Sequence, residues 1–150
     1  MAKQGGFFDI EERYASLSKF GDPLERLNVL IDFEHFRKPF DAVLQLSSRT
    51  KGGRPPYDTV LMMKVLVLQS LYNLFDDQME YQIKDRLSFM RFLGLELHHS
   101  IPDAKTIWLY RERLKGKKVM RQLFDGFEKQ LNTSKNPENF LQMEGMGCFL

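Results

Sequence analysis

Residues 77–114 read DQMEYQIKDRLSFMRFLGLELHHSIPDAKTIWLYRERL, a pattern of two short helical segments, a turn and a third helix that carries cations. Asp77, with Glu80 three residues on, predicts a capping box, in which two side chains satisfy the backbone amides left over at a helix start. Tyr81, Ile83 and Leu87 then supply an apolar stripe. Ser88 is placed to cap a second, shorter helix in which Phe89, Phe92 and Leu93 recur at three- and four-residue spacing. Gly94 stands where a left-handed residue ends that helix at little cost. The chain turns through LELHHSIP, and a third helix begins at Pro102 or Asp103, with Asp103 as its cap and Ile107, Tyr110 and Leu114 on one face. That face is expected to dock on the first two helices, which makes the stretch a helix-turn-helix pattern.

The remaining side chains of the third helix, Lys105, Thr106, Trp108, Leu109, Arg111, Glu112 and Arg113, point to solvent or to a partner. In helix-turn-helix units this helix enters the major groove with its N-terminal residues nearest the base edges. Lys105, Thr106 and Trp108 are therefore expected at base edges or at the sugar-phosphate rim, and Arg113 with the KGKK cations Lys115, Lys117 and Lys118 at phosphates. The KGKK run also reads as charge that favours a helix C-terminus. Arg111 is expected to brace the motif through Asp85 or Asp103, or to reach DNA. Arg86 and Arg91 divide between pairing with Asp85 and backbone contact. Trp108 and Leu109 also fit a surface on which another domain or subunit packs.

Working outward, the segment from Asp58 to Phe75 is the most hydrophobic in the chain, apolar on every side, which predicts a helix surrounded by others. Its methionines read as gap-filling core. Further upstream, Asp22 and Pro23 form a cap-then-proline helix start. Leu24, Leu27, Leu30 and Ile31 follow at helical spacing, then a second run over 33–46 carries Phe36, Phe40, Val43 and Leu44. Residues 1–21 read either as an arm in which Phe7, Phe8 and Ile10 tuck onto the domain or as a partly ordered N-terminus. SSRTKGGRPP, residues 47–56, is the clearest loop. Downstream, Met120, Leu123, Phe124, Phe127 and Leu131 mark a last helix over 119–131, and 133–150 is expected to be an irregular tail. The fold class is all-α: a bundle of about six to seven helices over 22–132.

The composition suits this. The chain has 150 residues with 43% hydrophobic and 13% aromatic content, enough to bury a core without a staple. Net charge is +2, but residues 51–118 hold twelve Lys and Arg against eight Asp and Glu, so the cationic excess falls on the segment carrying the motif. One cysteine, Cys148, excludes an internal disulfide framework, and the start lacks a signal-peptide pattern, so a cytoplasmic setting is expected. The longest apolar runs are far short of the ~20 residues a membrane span needs. His98 and His99 are adjacent, are expected to point apart and do not make a metal pair by themselves; His35 reads as an ordinary helical histidine. Cys148 lacks a nearby histidine, and no GxxxxGK phosphate loop occurs.

Three strings in order, GRPPYD (53–58), IKDRLSFMRFLGL (83–95) and IPDAKTIWLYRERL (101–114), resemble the N-terminal domain of InsH-like insertion-sequence transposases of the DDE class, over roughly residues 7–132. The resemblance implies a bacterial or archaeal protein whose helical region binds double-stranded DNA at the terminal inverted repeats of its element. It also implies a ribonuclease-H-like domain that follows and cuts and joins strands. On this resemblance the basic loop carrying Arg49, Lys51 and Arg54 becomes a DNA-contact candidate through Lys51 and Arg54, though it reads as well as a solvated loop. DDE chemistry needs three convergent carboxylates holding two divalent ions such as Mg2+. After Leu131 the sequence offers Glu138 and Glu144 in a short tail that departs from the family, so the chain is expected to be an N-terminal fragment without catalytic residues or cofactor. Two partner readings follow: duplex DNA, or self-association and mixed dimers with full-length transposase that would inhibit it. A non-functional remnant is the third reading.

Overall fold

A computed structural model describes residue 6 and residues 8–44, 57–116 and 118–133. The basic loop with Arg49, Lys51 and Arg54, the side chain of Lys117, the Phe7 position and the 134–150 tail with Glu138, Glu144 and Cys148 lie outside the described residues. Among those described the fold is all-α, with eight α-helices and one 3-10 turn and no strand.

The centre is α4, Thr59–Leu71. Asp58 caps it by accepting from the amides of Val60 and Leu61 at 3.0 and 3.2 Å. Val60, Met62, Met63, Val65, Leu66, Val67, Leu68 and Leu71 are all buried, and α4 packs against α3 (Arg37–Leu44), α5 (Asp76–Asp85), α6 (Leu87–Leu93) and α7 (Ala104–Leu114). A helix enclosed on all sides has no room for a polar face, which accounts for its uniform sequence. It ends four residues earlier than its apolar run suggests. Asn73 takes a left-handed conformation (φ 51°), and the Leu74 amide donates to Gln69 O at 3.0 Å, a C-terminal stop that asparagine tolerates. Phe75 is consequently 74% exposed and not core.

Two of the expected caps move. Helix α5 starts at Asp76, not after Asp77, and Gln78 Oε1 accepts from the Phe75 amide at 3.0 Å; Asp76 and Glu80 are used elsewhere. Ser88 lies inside the first turn of α6, because the break falls at Arg86 (φ −102°, ψ 116°). Gly94 ends α6 as expected, at φ 71°, with the Leu95 amide donating to Met90 O at 2.9 Å. The α6 carbonyl of Phe92 also accepts from Lys64 Nζ at 3.0 Å, and the ammonium sits 5.0 and 5.2 Å from the Phe33 and Phe92 ring centres. Burial pushes the Lys64 pKa down, against the pull of Glu34 and Asp58.

The outer helices complete the bundle. Helix α2, Pro23–Leu30, is capped by Asp22, which accepts from the Leu24 amide at 3.0 Å. The run expected over 33–46 divides into a 3-10 turn, Phe33–Phe36, and α3. The described part of the expected arm is a regular helix, α1 (Asp9–Phe20), which buries no residue of its own. Arg91 ties it down, donating to Tyr14 O at 3.0 Å and Ser18 Oγ at 2.9 Å. Helix α8, Lys118–Thr133, buries Val119, Leu123 and Phe127, and Phe127 meets Phe33 and Phe36 edge-on at 5.4 and 5.8 Å.

Gly126 explains how α8 comes so close. A Cβ there would lie 2.4 Å from Phe36 Cε1 and 2.6 Å from Cζ, so the ring of a buried Phe36 occupies that space. Alanine normally gains about 1 kcal/mol over glycine inside a helix. Here overpacking, about 1–3 kcal/mol, should win, and Gly126→Ala is expected to lower the denaturation midpoint. A rise in the midpoint would show that the ring yields without cost.

Candidate nucleic-acid interface

Helix α7 is held at both ends. At its start Asp103 Oδ1 accepts from the Thr106 amide at 2.7 Å, the cap its sequence predicts, and Glu80 Oε2 accepts from the Ala104 amide at 2.8 Å. Glu80 also takes Lys84 Nζ at 2.6 Å. Just ahead, the Tyr57 hydroxyl donates to Ile101 O at 3.0 Å. Towards its far end Arg111 forms a two-pronged pair with Asp76, at 2.6 and 2.9 Å. The buried Gln69 adds a third bond to the same carboxylate, at 2.7 Å. The buried face is Ile107, Tyr110 and Leu114, as their spacing predicts, but it rests mainly on α3, α4 and α5, so of the two helices expected beneath it only α5 is a main support, and α3 and α4 take the place of α6.

The arginines correct three expectations about partners. Arg111 braces α7 through Asp76, not Asp85 or Asp103, because α7 runs antiparallel to α5 and its second half reaches the α5 start. Arg91 pairs with Asp22 at 2.6 Å and, more loosely, with Glu25 at 3.5 Å, and its guanidinium faces the Tyr14 ring at 5.2 Å. Its donors are thus engaged between α1, α2 and α6. Arg86 lies over the Tyr72 and Phe89 rings at 5.7 and 5.2 Å, a stacking use that no ion-pair spacing in the sequence could reveal.

What α7 leaves outside is a stripe of Lys105, Trp108 and Leu109, continued by the half-buried Glu112, at spacing i, i+3, i+4 and i+7. Trp108 is 48% and Leu109 39% exposed. Thr106 and Arg113 flank the stripe, both half-buried, and the Arg113 guanidinium lies 6.0 Å from the Tyr110 ring centre. Lys115 is exposed and stands 3.5 Å from Glu112. The KGKK run does not all belong to the α7 terminus: Lys115 is its C-cap, Gly116 turns the chain at φ 71°, and Lys118 opens α8. Lys105 and Lys118 therefore sit at helix starts and Glu112 near a helix end, the reverse of what the helix dipole favours.

Charge also fixes the position of α7. Hydrogen bonds from Lys84 and then from the Ala104 amide hold the Glu80 carboxyl below the ordinary glutamate value of 4.5. A carboxylate with a lowered folded pKa adds stability above its unfolded value and loses it as pH falls through the folded one. The stability gap between the protein and Glu80→Gln is thus expected to be present at pH 7 and to close below the ordinary glutamate value. With Glu80 partly exposed the gap should be below about 1 kcal/mol. A gap that persists unchanged at pH 2.5 in a denaturation series would contradict the ionic origin.

The turn before α7 departs from expectation. His98 and His99 do not diverge: their ring centres lie 4.2 Å apart, with Glu96 beside them.

Residues 11–113, well over half of the chain, match a family described as Transposase domain (DUF772). The chain belongs to this transposase-domain family. The matched span runs from the first turn of α1 to the last turn of α7 and so contains α4, both anchors of α7 and all of its outward stripe. Membership connects these helices with DNA transposition. No solved structure matches the chain. Within the described residues of this transposase-family chain, no helix is long and apolar enough to cross a membrane.

Proposed function

We propose that this helical unit is the duplex-binding part of an InsH-like DDE transposase, with α5, α6 and α7 acting as a helix-turn-helix and α7 entering the major groove at the terminal inverted repeats. One observation carries the reading: an α7 clamped by Glu80 and Asp76 presents Lys105 and Trp108 outward, with Arg113 flanking them and Lys115 and Lys118 exposed past the C-terminal end of the helix. Clamping matters because a groove-reading side chain must be held in place before it meets a base. Lys105 and Lys118 stand where the helix dipole disfavours cations, a small cost that contact with phosphate would offset. Arg91 and Arg111 leave the contact set, since their guanidinium groups are engaged by carboxylates. Cutting and joining strands, with the paired Mg2+ ions such chemistry uses, belongs in this reading to a catalytic domain and not to these helices. The setting is the nucleoid of a bacterial or archaeal cell.

The test is fluorescence anisotropy with a duplex carrying one terminal repeat and a shuffled duplex of equal length. Lys105→Ala is expected to weaken binding to the repeat by about 1–3 kcal/mol more than to the shuffled duplex. Equal weakening of both would reduce Lys105 to a phosphate contact.

Trp108 and Leu109 favour a second reading, in which the α7 stripe packs on another transposase copy. Co-purification of differently tagged copies separates the two: Trp108→Ala with Leu109→Ala should abolish pairing if the stripe is a protein interface and leave it unchanged if the stripe meets DNA.

A further inference from the structure

We infer that the turn between α6 and α7 is a binding site for a divalent transition-metal ion, built from Glu96, His98 and His99. The turn itself brings these groups together. The His99 amide donates to Glu96 O at 3.0 Å, and the Glu96 amide donates back to His99 Nδ1 at 2.9 Å, so four residues close on themselves. His98 Nδ1 stands 3.3 Å from Glu96 Oε2. One ligand atom from each of the three residues lies within 4.8 Å of the others.

These distances suit a small ion. Zinc bonds of about 2.0–2.2 Å in tetrahedral geometry put ligand atoms roughly 3.4 Å apart. The His98–Glu96 pair already has that separation, and the third ligand atom lies within 4.8 Å of both. Two borderline imidazole nitrogens beside one hard carboxylate oxygen favour Zn2+, Ni2+ or Cu2+ over Mg2+ or Ca2+, the selectivity coming from the imidazoles. Three protein ligands leave the other positions to water. With His99 Nδ1 accepting from the Glu96 amide, its Nε2 is the nitrogen left for a metal, and the hydrogen bond at Nδ1 would hold the ring in place as an outer partner. All three side chains are exposed, and reaching them requires no opening of the core.

The consequence is local. The turn leads within four residues to Asp103, the α7 cap, and an ion joining 96 to 99 would stiffen the approach to α7. The site stands on its own residues and does not depend on the DNA reading.

The experiment uses the untagged chain, stripped with chelator, titrated with ZnCl2 and separately with MgCl2 in calorimetry at pH 7.5. The expected result is one zinc ion per chain with a dissociation constant on the order of micromolar, and no competition from millimolar Mg2+. His98→Ala and His99→Ala are each expected to weaken it by roughly tenfold or more, whereas His35→Ala and Cys148→Ser leave it unchanged. Amide shifts in residues 95–103 on adding zinc supply a readout independent of heat. Undiminished binding in the His98→Ala, His99→Ala double variant, no saturable binding below about 100 µM, or equal binding of Mg2+ would each overturn the proposal.

Discussion

Replacing Lys105, Arg113, Lys115 and Lys118 together with alanine is expected to lower affinity for a terminal-repeat duplex about a thousandfold at 0.15 M salt, and to flatten the plot of log affinity against log salt by about 3–4 units. Each cation that neutralises a phosphate releases counterions, and each one removed takes close to one unit from the slope. Three of the four side chains are exposed, and Arg113 adds a stacking contact with Tyr110. Their loss should therefore move stability by less than about 1 kcal/mol in total, since surface changes of this kind cost little and Lys105 and Lys118 work against a helix dipole. The slope and the denaturation midpoint are measured on the same sample. An unchanged slope in a fully folded variant would remove this face from the interface.

Arg91→Ala is expected to do the opposite, costing about 2–3 kcal/mol of stability while leaving the salt slope where it was. Its carboxylate partner Asp22 has a side chain only 5% exposed, and Arg91 itself is 20% exposed. Removing one member of a largely buried pair leaves the other uncompensated, and the partial exposure of Arg91 puts the cost below that of a fully buried pair. Asp22 also caps α2, so the loss spreads into that helix. Helix α1, which buries nothing and depends on Arg91 for its bonds to Tyr14 and Ser18, should show faster amide exchange over residues 9–20. Arg91→Lys is not expected to rescue this, because one ammonium cannot serve acceptors on α1 and α2 together. A stable Arg91→Ala protein whose slope falls by one unit would instead make Arg91 a phosphate contact.

These two variants mark where the sequence is legible. Periodicity locates the buried faces well: Ile107, Tyr110 and Leu114 on α7, and Leu123 and Phe127 on α8, are inside because spacing at three and four residues is a property of the helix alone. Caps made within one element are legible too, as at Asp22 and Asp103. Ends set by a single residue are less so. Asn73 stops α4 in the middle of an apolar run, and Phe75 looked like core for that reason. Long-range partners are beyond pattern reading. Arg111 finds Asp76 and Glu80 finds the Ala104 amide only because α5 and α7 lie antiparallel, a fact of tertiary packing. The His98–His99 pair shows the limit at short range, since adjacent side chains diverge on regular elements but gather on a turn closed by Glu96 and His99.

Contact between the outward face of α7 and duplex DNA is read out by amide chemical-shift mapping of the 15N-labelled protein titrated with a terminal-repeat duplex. The largest shifts and line broadening are expected on residues 103–118, with the Trp108 side-chain indole among them, while α1 and α2 stay unperturbed. Shifts concentrated on α1 and α2, or none at protein and duplex concentrations of about 100 µM, would contradict it.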